Sequence, residues 1–114
     1  LFRSVDSCVV WQSGIPPKSE TEAVYSDIPT LVLSGSYDPI TPPAWGLVAA
    51  QTLSNSTAIE FPAIGHGAVD SADCPSAIAL AFINNPTAPI DTSCVATMRV
   101  PFVTEMPDLS EYEE

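Results

Sequence analysis

Residues 28–53 read IPTLVLSGSYDPITPPAWGLVAAQTL, and this stretch decides the fold. Residues 28–34 form a short apolar run rich in β-branched side chains and bounded by proline and glycine, which predicts a strand buried on both faces. Turn-forming residues follow, and Thr41 is then a predicted N-cap, with Pro42 in the first helical position. The helix that they begin is predicted over residues 42–53.

A second strand and helix are predicted downstream. Residues 57–61 alternate apolar and polar side chains, and the charge of Glu60 on the polar face is typical of an edge strand. A helix is predicted over residues 75–84, with Asp73 as its N-cap and Asn85 as a left-handed cap at its end. Because a helical crossover joins the two strands, they should be parallel. The fold class is therefore α/β, in the order β-α-β-α.

The predicted sheet is incomplete, because two strands cannot shield their own apolar side chains. Helix 42–53 is apolar around most of its circumference, which predicts packing on more than one side, with Trp45 in the core. We therefore expect a partner along the open edge of the first strand. That partner is either a missing N-terminal part of the same domain or a second copy of the chain.

Composition excludes several classes of function. Three Lys and Arg residues stand against fourteen Asp and Glu residues, a net charge of −11, so the chain offers no basic surface for phosphates. Its longest apolar runs are far shorter than the ~20 residues that cross a bilayer. We expect neither a nucleic acid nor a membrane as a partner.

The chain divides into three predicted parts. Residues 1–27 form an irregular lead-in, residues 28–94 form the α/β segment, and residues 95–114 form an acidic tail whose end we expect to be mobile. The first residue is Leu1 rather than Met, and no signal peptide follows it. We therefore expect a piece of a longer protein.

Two loops that follow the predicted strands carry the candidate chemistry. Asp38 lies in SGSYDPITPP, and His66, the only histidine, lies in AIGHGAVD. Ligands and catalytic groups gather at the carboxyl ends of strands in open α/β sheets, so these two side chains should meet. A carboxylate that accepts from imidazole Nδ1 fixes the tautomer and stabilises the imidazolium, as in a Ser-His-Asp triad. A metal site at Asp70 and Asp73 is poorly supported, because only one histidine and no zinc-type cysteine spacing accompany them.

The segment PTLVLSGSYDPITPP, followed 28 positions after Asp38 by the histidine of GHG, resembles the C-terminal domain of the TAP-like (tripeptidyl aminopeptidase and prolyl aminopeptidase-related) serine α/β-hydrolases. CVVW near the start and a cysteine pair around the final helix extend the resemblance over about residues 8–94. The resemblance implies that Asp38 is the triad acid and His66 the general base. It also implies a bridge between Cys74 and Cys94, which leaves Cys8 without a mate.

This resemblance implies part of a secreted serine hydrolase, an exopeptidase that acts on peptide N-termini through an acyl-enzyme, with no metal or organic cofactor. No G-x-S-x-G occurs in the 114 residues, so the nucleophile is expected on a missing N-terminal hydrolase segment and the isolated chain is expected to be inactive. Two alternatives stay open: a non-catalytic α/β association module, and a piece of an esterase of the same fold.

Overall fold

The computed structural model describes residues 10–11 and 14–99. Four main elements follow one another: strand β1 (Thr30–Gly35), helix α1 (Pro43–Ala50), strand β2 (Ser56–Phe61) and helix α2 (Asp73–Asn84). Short 3-10 helices lie at Lys18–Thr21, Ala68–Asp70 and Ser93–Thr97. The predicted β-α-β-α order and the mixed α/β class are confirmed.

β1 and β2 pair in parallel, as the helical crossover requires, and within the described residues they form a two-stranded sheet. The register runs from Thr30 opposite Ser56 to Gly35 opposite Phe61. Both strands therefore end at the same edge of the sheet. The loops that follow them, which carry the two candidate catalytic residues, begin side by side.

The core lies on the α2 face of the sheet. Phe61, Ile64, Ala68 and Ile78 form a buried apolar cluster, and Phe61 has no exposed surface. Alternation along the strands supplies the rest of this face, because Leu31, Leu33 and Ile59 pack against the same cluster. β1 is half-buried along most of its length, so the prediction of burial on both faces is wrong for the described structure.

Helix α1 lies on the opposite face of the sheet and approaches it through Gly46. A Cβ atom at Gly46 would lie 2.7 Å from Ser34 Oγ and 3.0 Å from Val32 Cγ1, so no larger side chain fits there without movement. The rest of the helix turns outward. Trp45 is 64% exposed, and the prediction that it belongs to the core is wrong, because glycine rather than tryptophan faces the sheet.

Helix boundaries differ from the predictions at three caps. The N-cap of α1 is Pro42, not Thr41, and the helix ends at Ala50. α2 begins at Asp73 itself, and Ala72 is its N-cap. The acidic side chain therefore lies in the first turn, where its negative charge interacts favourably with the helix dipole. Asn85 is not left-handed, because its φ is −150° and its ψ is 87°.

A disulfide joins Cys74, at the start of α2, to Cys94, in the last 3-10 helix. Its Cα atoms are 5.8 Å apart, and the two cysteines are 20 residues apart in the sequence. The bridge holds the segment after α2 against the core, where Cys74, Cys94 and Val95 pack. Closing a loop of this length is worth about 3 kcal/mol in the chain-entropy account of disulfides.

Some predictions fall outside the described residues. They are the pairing of Cys8 and the mobility of the chain end, since residues 1–9, 12–13 and 100–114 are not described. Within the described residues, none of the helices has the length and apolarity needed to span a membrane.

Candidate active site

The loop after β1 and the loop after β2 are joined by three hydrogen bonds. The Ser36 amide donates to the Phe61 carbonyl at 3.0 Å, and the Tyr37 amide donates to the Ile64 carbonyl at 2.9 Å. In return, the Ala63 amide donates to Ser36 Oγ at 2.8 Å. Ala63 has a φ of 58°, an uncommon conformation for a residue with a Cβ, and this hydrogen bond helps to hold it. The two loops are therefore tied to each other at the carboxyl edge of the sheet.

Gly35 makes this close approach of the two loops possible. A Cβ atom at this position would lie 2.8 Å from the Ile64 carbonyl carbon, and it would contact the carbonyl oxygens of Ile64 and Gly65 more closely still. All of these atoms belong to backbone, which cannot move aside as a flexible side chain can. The absence of a side chain at Gly35 thus sets the distance between the two loops.

The carboxylate of Asp38 is buried and fully engaged. Its Oδ1 accepts from the backbone amides of Ile40 at 2.8 Å and Thr41 at 2.9 Å. Its Oδ2 accepts from the Thr41 hydroxyl at 2.6 Å and faces His66 Nδ1 at 3.0 Å. The Asp38 side chain is only 6% exposed. The backbone amides of the DPIT turn therefore hydrogen-bond to the Asp38 carboxylate and fix the orientation of that side chain.

The pKa of Asp38 lies well below its ordinary value. Burial acts to raise this pKa, but hydrogen bonds from the Thr41 hydroxyl, the Thr41 amide, His66 and the Ile40 amide together outweigh the effect of burial. Asp38 is therefore ionised at neutral pH and can only accept hydrogen bonds. It follows that Nδ1 of a neutral His66 carries the proton and donates to Oδ2, which leaves Nε2 as the basic nitrogen.

His66 presents its ring to solvent while Nδ1 faces the buried carboxylate. The His66 side chain is 53% exposed, and Nε2 has no hydrogen-bond partner among the described residues. A base with one nitrogen anchored and the other accessible is able to take a proton from a group brought to the edge of the sheet. The predicted meeting of Asp38 and His66 thus occurs with the geometry that a triad needs on its acid side.

Sequence reasoning missed two contributors to this site. Thr41, predicted as a helix cap, contacts the carboxylate and lies 3.3 Å from His66 Nδ1 through its hydroxyl. Ser36, one of the turn-forming residues predicted after the first strand, ties the two loops together through its hydroxyl. The contacts of Thr41 with His66 and of Ser36 with Ala63 join residues 25 or more apart in the sequence, so no local pattern pointed to them. The contact of Thr41 with Asp38 is local, because only three residues separate the two.

Other candidate chemistry was not brought together. Asp70 is exposed in the 3-10 helix after His66, and Asp73 is exposed in the first turn of α2. Among the described residues, no group of three or more His, Cys, Asp and Glu side chains is arranged to hold a metal ion. The site at the strand ends is thus a carboxylate–imidazole pair with a threonine beside it.

Comparison with curated proteins found no match, and neither did comparison with solved structures. A family model described as TAP-like protein, however, matches residues 1–94. The match takes in both strands, both helices, both loops of the site and the two bridged cysteines. The family resemblance drawn from the sequence is confirmed over most of the chain. The chain belongs to the TAP-like family of α/β-hydrolases, and it corresponds to the C-terminal domain of that family.

Proposed function

We propose that this chain supplies the acid and the general base of a serine hydrolase. The observation that carries the proposal is the 3.0 Å contact between Asp38 Oδ2 and His66 Nδ1, made by a buried anion and a half-exposed ring. In such an enzyme His66 Nε2 takes the proton of the serine hydroxyl as it attacks the substrate carbonyl. Nε2 then returns the proton to the leaving group, and Asp38 stabilises the imidazolium in between.

The nucleophile is supplied, in this proposal, by an N-terminal hydrolase segment, since no G-x-S-x-G occurs in the 114 residues. Two surfaces support such a partner. Among the described residues β1 pairs only with β2, so its other edge has free backbone groups. The second surface is the outer side of α1, where more than half of each of the side chains of Trp45, Leu47 and Val48 is exposed. A continuing sheet with its own helices would cover both surfaces.

The substrate proposed is a peptide, cleaved near its N-terminus through an acyl-enzyme, without a metal or organic cofactor. This part of the proposal rests on the family, whose name refers to tripeptidyl aminopeptidases, rather than on a pocket. An ester substrate on the same fold is the competing candidate. Side-by-side rates on an aminoacyl or tripeptidyl amide and on a simple ester of the same acyl group separate the two.

The proposed location is extracytoplasmic. The Cys74–Cys94 disulfide supports it, because disulfides form and persist mainly in oxidising compartments. Free thiols at both positions in protein isolated without reduction, seen by mass spectrometry after alkylation, would contradict this location.

The test of the function uses the chain together with an N-terminal α/β-hydrolase segment that carries a G-x-S-x-G serine. Hydrolysis of a chromogenic aminoacyl amide should fall on the order of 10⁶-fold in His66→Ala. It should fall on the order of 10⁴-fold in Asp38→Asn, which keeps the shape but no longer enforces the tautomer. Asp70→Asn is the matched control, because Asp70 is close in sequence and exposed but makes no hydrogen bond to His66.

A non-catalytic association module is the second candidate, and the exposed apolar face of α1 is the observation that favours it. The two candidates differ in what the histidine does. If the joined protein hydrolyses its substrate equally well with and without the His66 imidazole, the catalytic proposal fails and association becomes the better account.

A further inference from the structure

Thr41 Oγ1, Asp38 Oδ2 and His66 Nδ1 form a closed triangle. Its sides are 2.6 Å from Oγ1 to Oδ2, 3.0 Å from Oδ2 to Nδ1 and 3.3 Å from Nδ1 to Oγ1. Two hydrogens serve these three sides: one on the hydroxyl and one on Nδ1. Their placement follows from the charge of the acid.

The ionised carboxylate can only accept, so the hydroxyl hydrogen of Thr41 lies between Oγ1 and Oδ2, along the shortest side. With its own hydrogen used there, Oγ1 faces Nδ1 with a lone pair. The Nδ1 hydrogen of His66 is then shared between Oδ2 at 3.0 Å and Oγ1 at 3.3 Å. Thr41 is therefore at once a second donor to the acid and a second acceptor for the base.

This placement of the hydroxyl is not explained by the helix that begins beside it. Pro42 is the N-cap of α1, and no side chain makes a capping hydrogen bond to its amides. Both Pro42 and Pro43 lack the amide hydrogen that a capping hydroxyl would accept. The hydroxyl of Thr41 therefore makes no capping hydrogen bond to α1 and donates to the Asp38 carboxylate instead.

We propose that Thr41 is a positioning residue that shares Asp38 Oδ2 with His66 and so limits how strongly the carboxylate draws the Nδ1 proton. Two donors on one oxygen each receive less of its charge than one donor would. As the imidazolium forms during the reaction, this sharing keeps the proton on Nδ1 and the acid ionised. The inference rests on the proposed function, because it assigns Thr41 a role within the same acid–base pair.

The low pKa of Asp38 agrees with this role. After the opposing effect of burial, the Thr41 hydroxyl leads the hydrogen bonds that lower this pKa. The backbone amide of Thr41 contributes separately through Oδ1, and a side-chain substitution leaves that amide in place. The hydroxyl can therefore be removed while the rest of the turn keeps its donors.

Nuclear magnetic resonance on the full 114-residue chain tests the inference directly. His66 is the only histidine, so the two imidazole nitrogen resonances both belong to it, and Nδ1 is told from Nε2 by its coupling to the ring protons. The resonance is read through the carbon-bound ring protons, so solvent exchange does not hide it, and variants are compared on the plateau that the shift reaches as the pH is raised. Stronger donation from Nδ1–H moves this nitrogen to higher chemical shift.

Thr41→Val keeps the β-branched shape and removes the hydroxyl, so the Nδ1 resonance should move to higher shift. Thr41→Ser should return it to the wild-type position, and Thr41→Ala, which adds no methyl group beside the carboxylate, should behave like Thr41→Val. Thr52→Val is the matched control, because its hydroxyl reaches only the Ala49 carbonyl, and it should leave the resonance in place. If Thr41 had only a structural role, its replacement would disturb the pair and let the proton move to Nε2, so Nδ1 would rise while Nε2 falls to the shift of a protonated nitrogen. A rise at Nδ1 without that fall at Nε2 is therefore the signature of the proposed sharing.

Two outcomes overturn the inference: a wild-type Nδ1 position in the folded valine and alanine variants, or a serine variant that behaves like valine. Asp38→Asn separates this failure from failure of the proposed function. If Asp38→Asn moves the resonance and the Thr41 variants do not, only the proposed role of Thr41 is rejected. If Asp38→Asn also leaves the resonance unchanged, the acid–base pair of the proposed function is rejected as well.

Discussion

Gly35→Ala should separate the acid from the base, because the missing side chain at this position sets the spacing of the two loops. The new Cβ would lie 2.8 Å from the Ile64 carbonyl carbon, whereas ordinary contacts of this kind begin at 3.4 Å. The backbone of the His66 loop must therefore move by about 0.6 Å, and the still closer carbonyl oxygens demand more than that.

A movement of this size is enough to break the pair. Lengthening the 3.0 Å contact between Asp38 Oδ2 and His66 Nδ1 by about 0.6 Å gives a separation that no longer qualifies as a hydrogen bond. Inserting a methyl group into packed backbone also costs about 1–3 kcal/mol of unfolding free energy. The variant should thus be both less stable and altered at the site.

Two measurements on Gly35→Ala check this reasoning: denaturant unfolding followed by circular dichroism, and the His66 Nδ1 resonance. Gly65→Ala is the matched control, since a Cβ there meets nothing within 4 Å although it adjoins the histidine. We expect the control to be near wild type in both measurements. A Gly35→Ala chain with wild-type unfolding free energy and an unmoved His66 resonance would refute the argument.

Two further predictions concern stability. Replacing Cys74 and Cys94 together by serine should lower the unfolding free energy by about 3 kcal/mol, because the 20-residue separation is no longer closed in the unfolded chain; an unchanged denaturation midpoint would contradict this. The pKa of Asp38 lies below the ordinary 3.8 in the folded state, so the stability it adds is present above pH 3.8 and is lost as the pH falls from there towards the folded-state pKa. In Asp38→Asn the unfolding free energy should therefore depend less on pH below 3.8. The contribution of Asp91 should remain, because hydrogen bonds from Ser93 lower its pKa as well. An unaltered pH dependence in Asp38→Asn would show that the carboxylate is not held as described.

The sequence was sufficient to predict the arrangement that brings acid and base together. Each strand carries a local signal, an apolar or alternating run bounded by turn residues, and the helix between them forces parallel pairing. Once the strands are parallel, Asp38 and His66 must lie at one edge, and the structure places them 3.0 Å apart. This part of the site was predictable because it depends on topology rather than on detailed packing.

Two of the errors arose where a residue's usual local conformation or hydrogen bond was overridden by a nearby residue. Thr41 fits the pattern of a helix cap, but the amides it would cap are largely proline nitrogens, whereas an ionised carboxylate lies 2.6 Å away. Asn85 tolerates the left-handed conformation, but the residue before a proline is pushed towards extended backbone, and Pro86 follows it. For Trp45, hydrophobicity alone predicts a place in the core, but it does not tell which side of α1 faces the sheet.

The proposed function requires that His66 activates a serine carried by an N-terminal hydrolase segment. The most direct measurement is the rate at which a fluorophosphonate labels that serine in the joined protein, with and without the imidazole. We expect rapid labelling of the wild type and almost none of His66→Ala when both are folded. Equal labelling rates in the two proteins would contradict it.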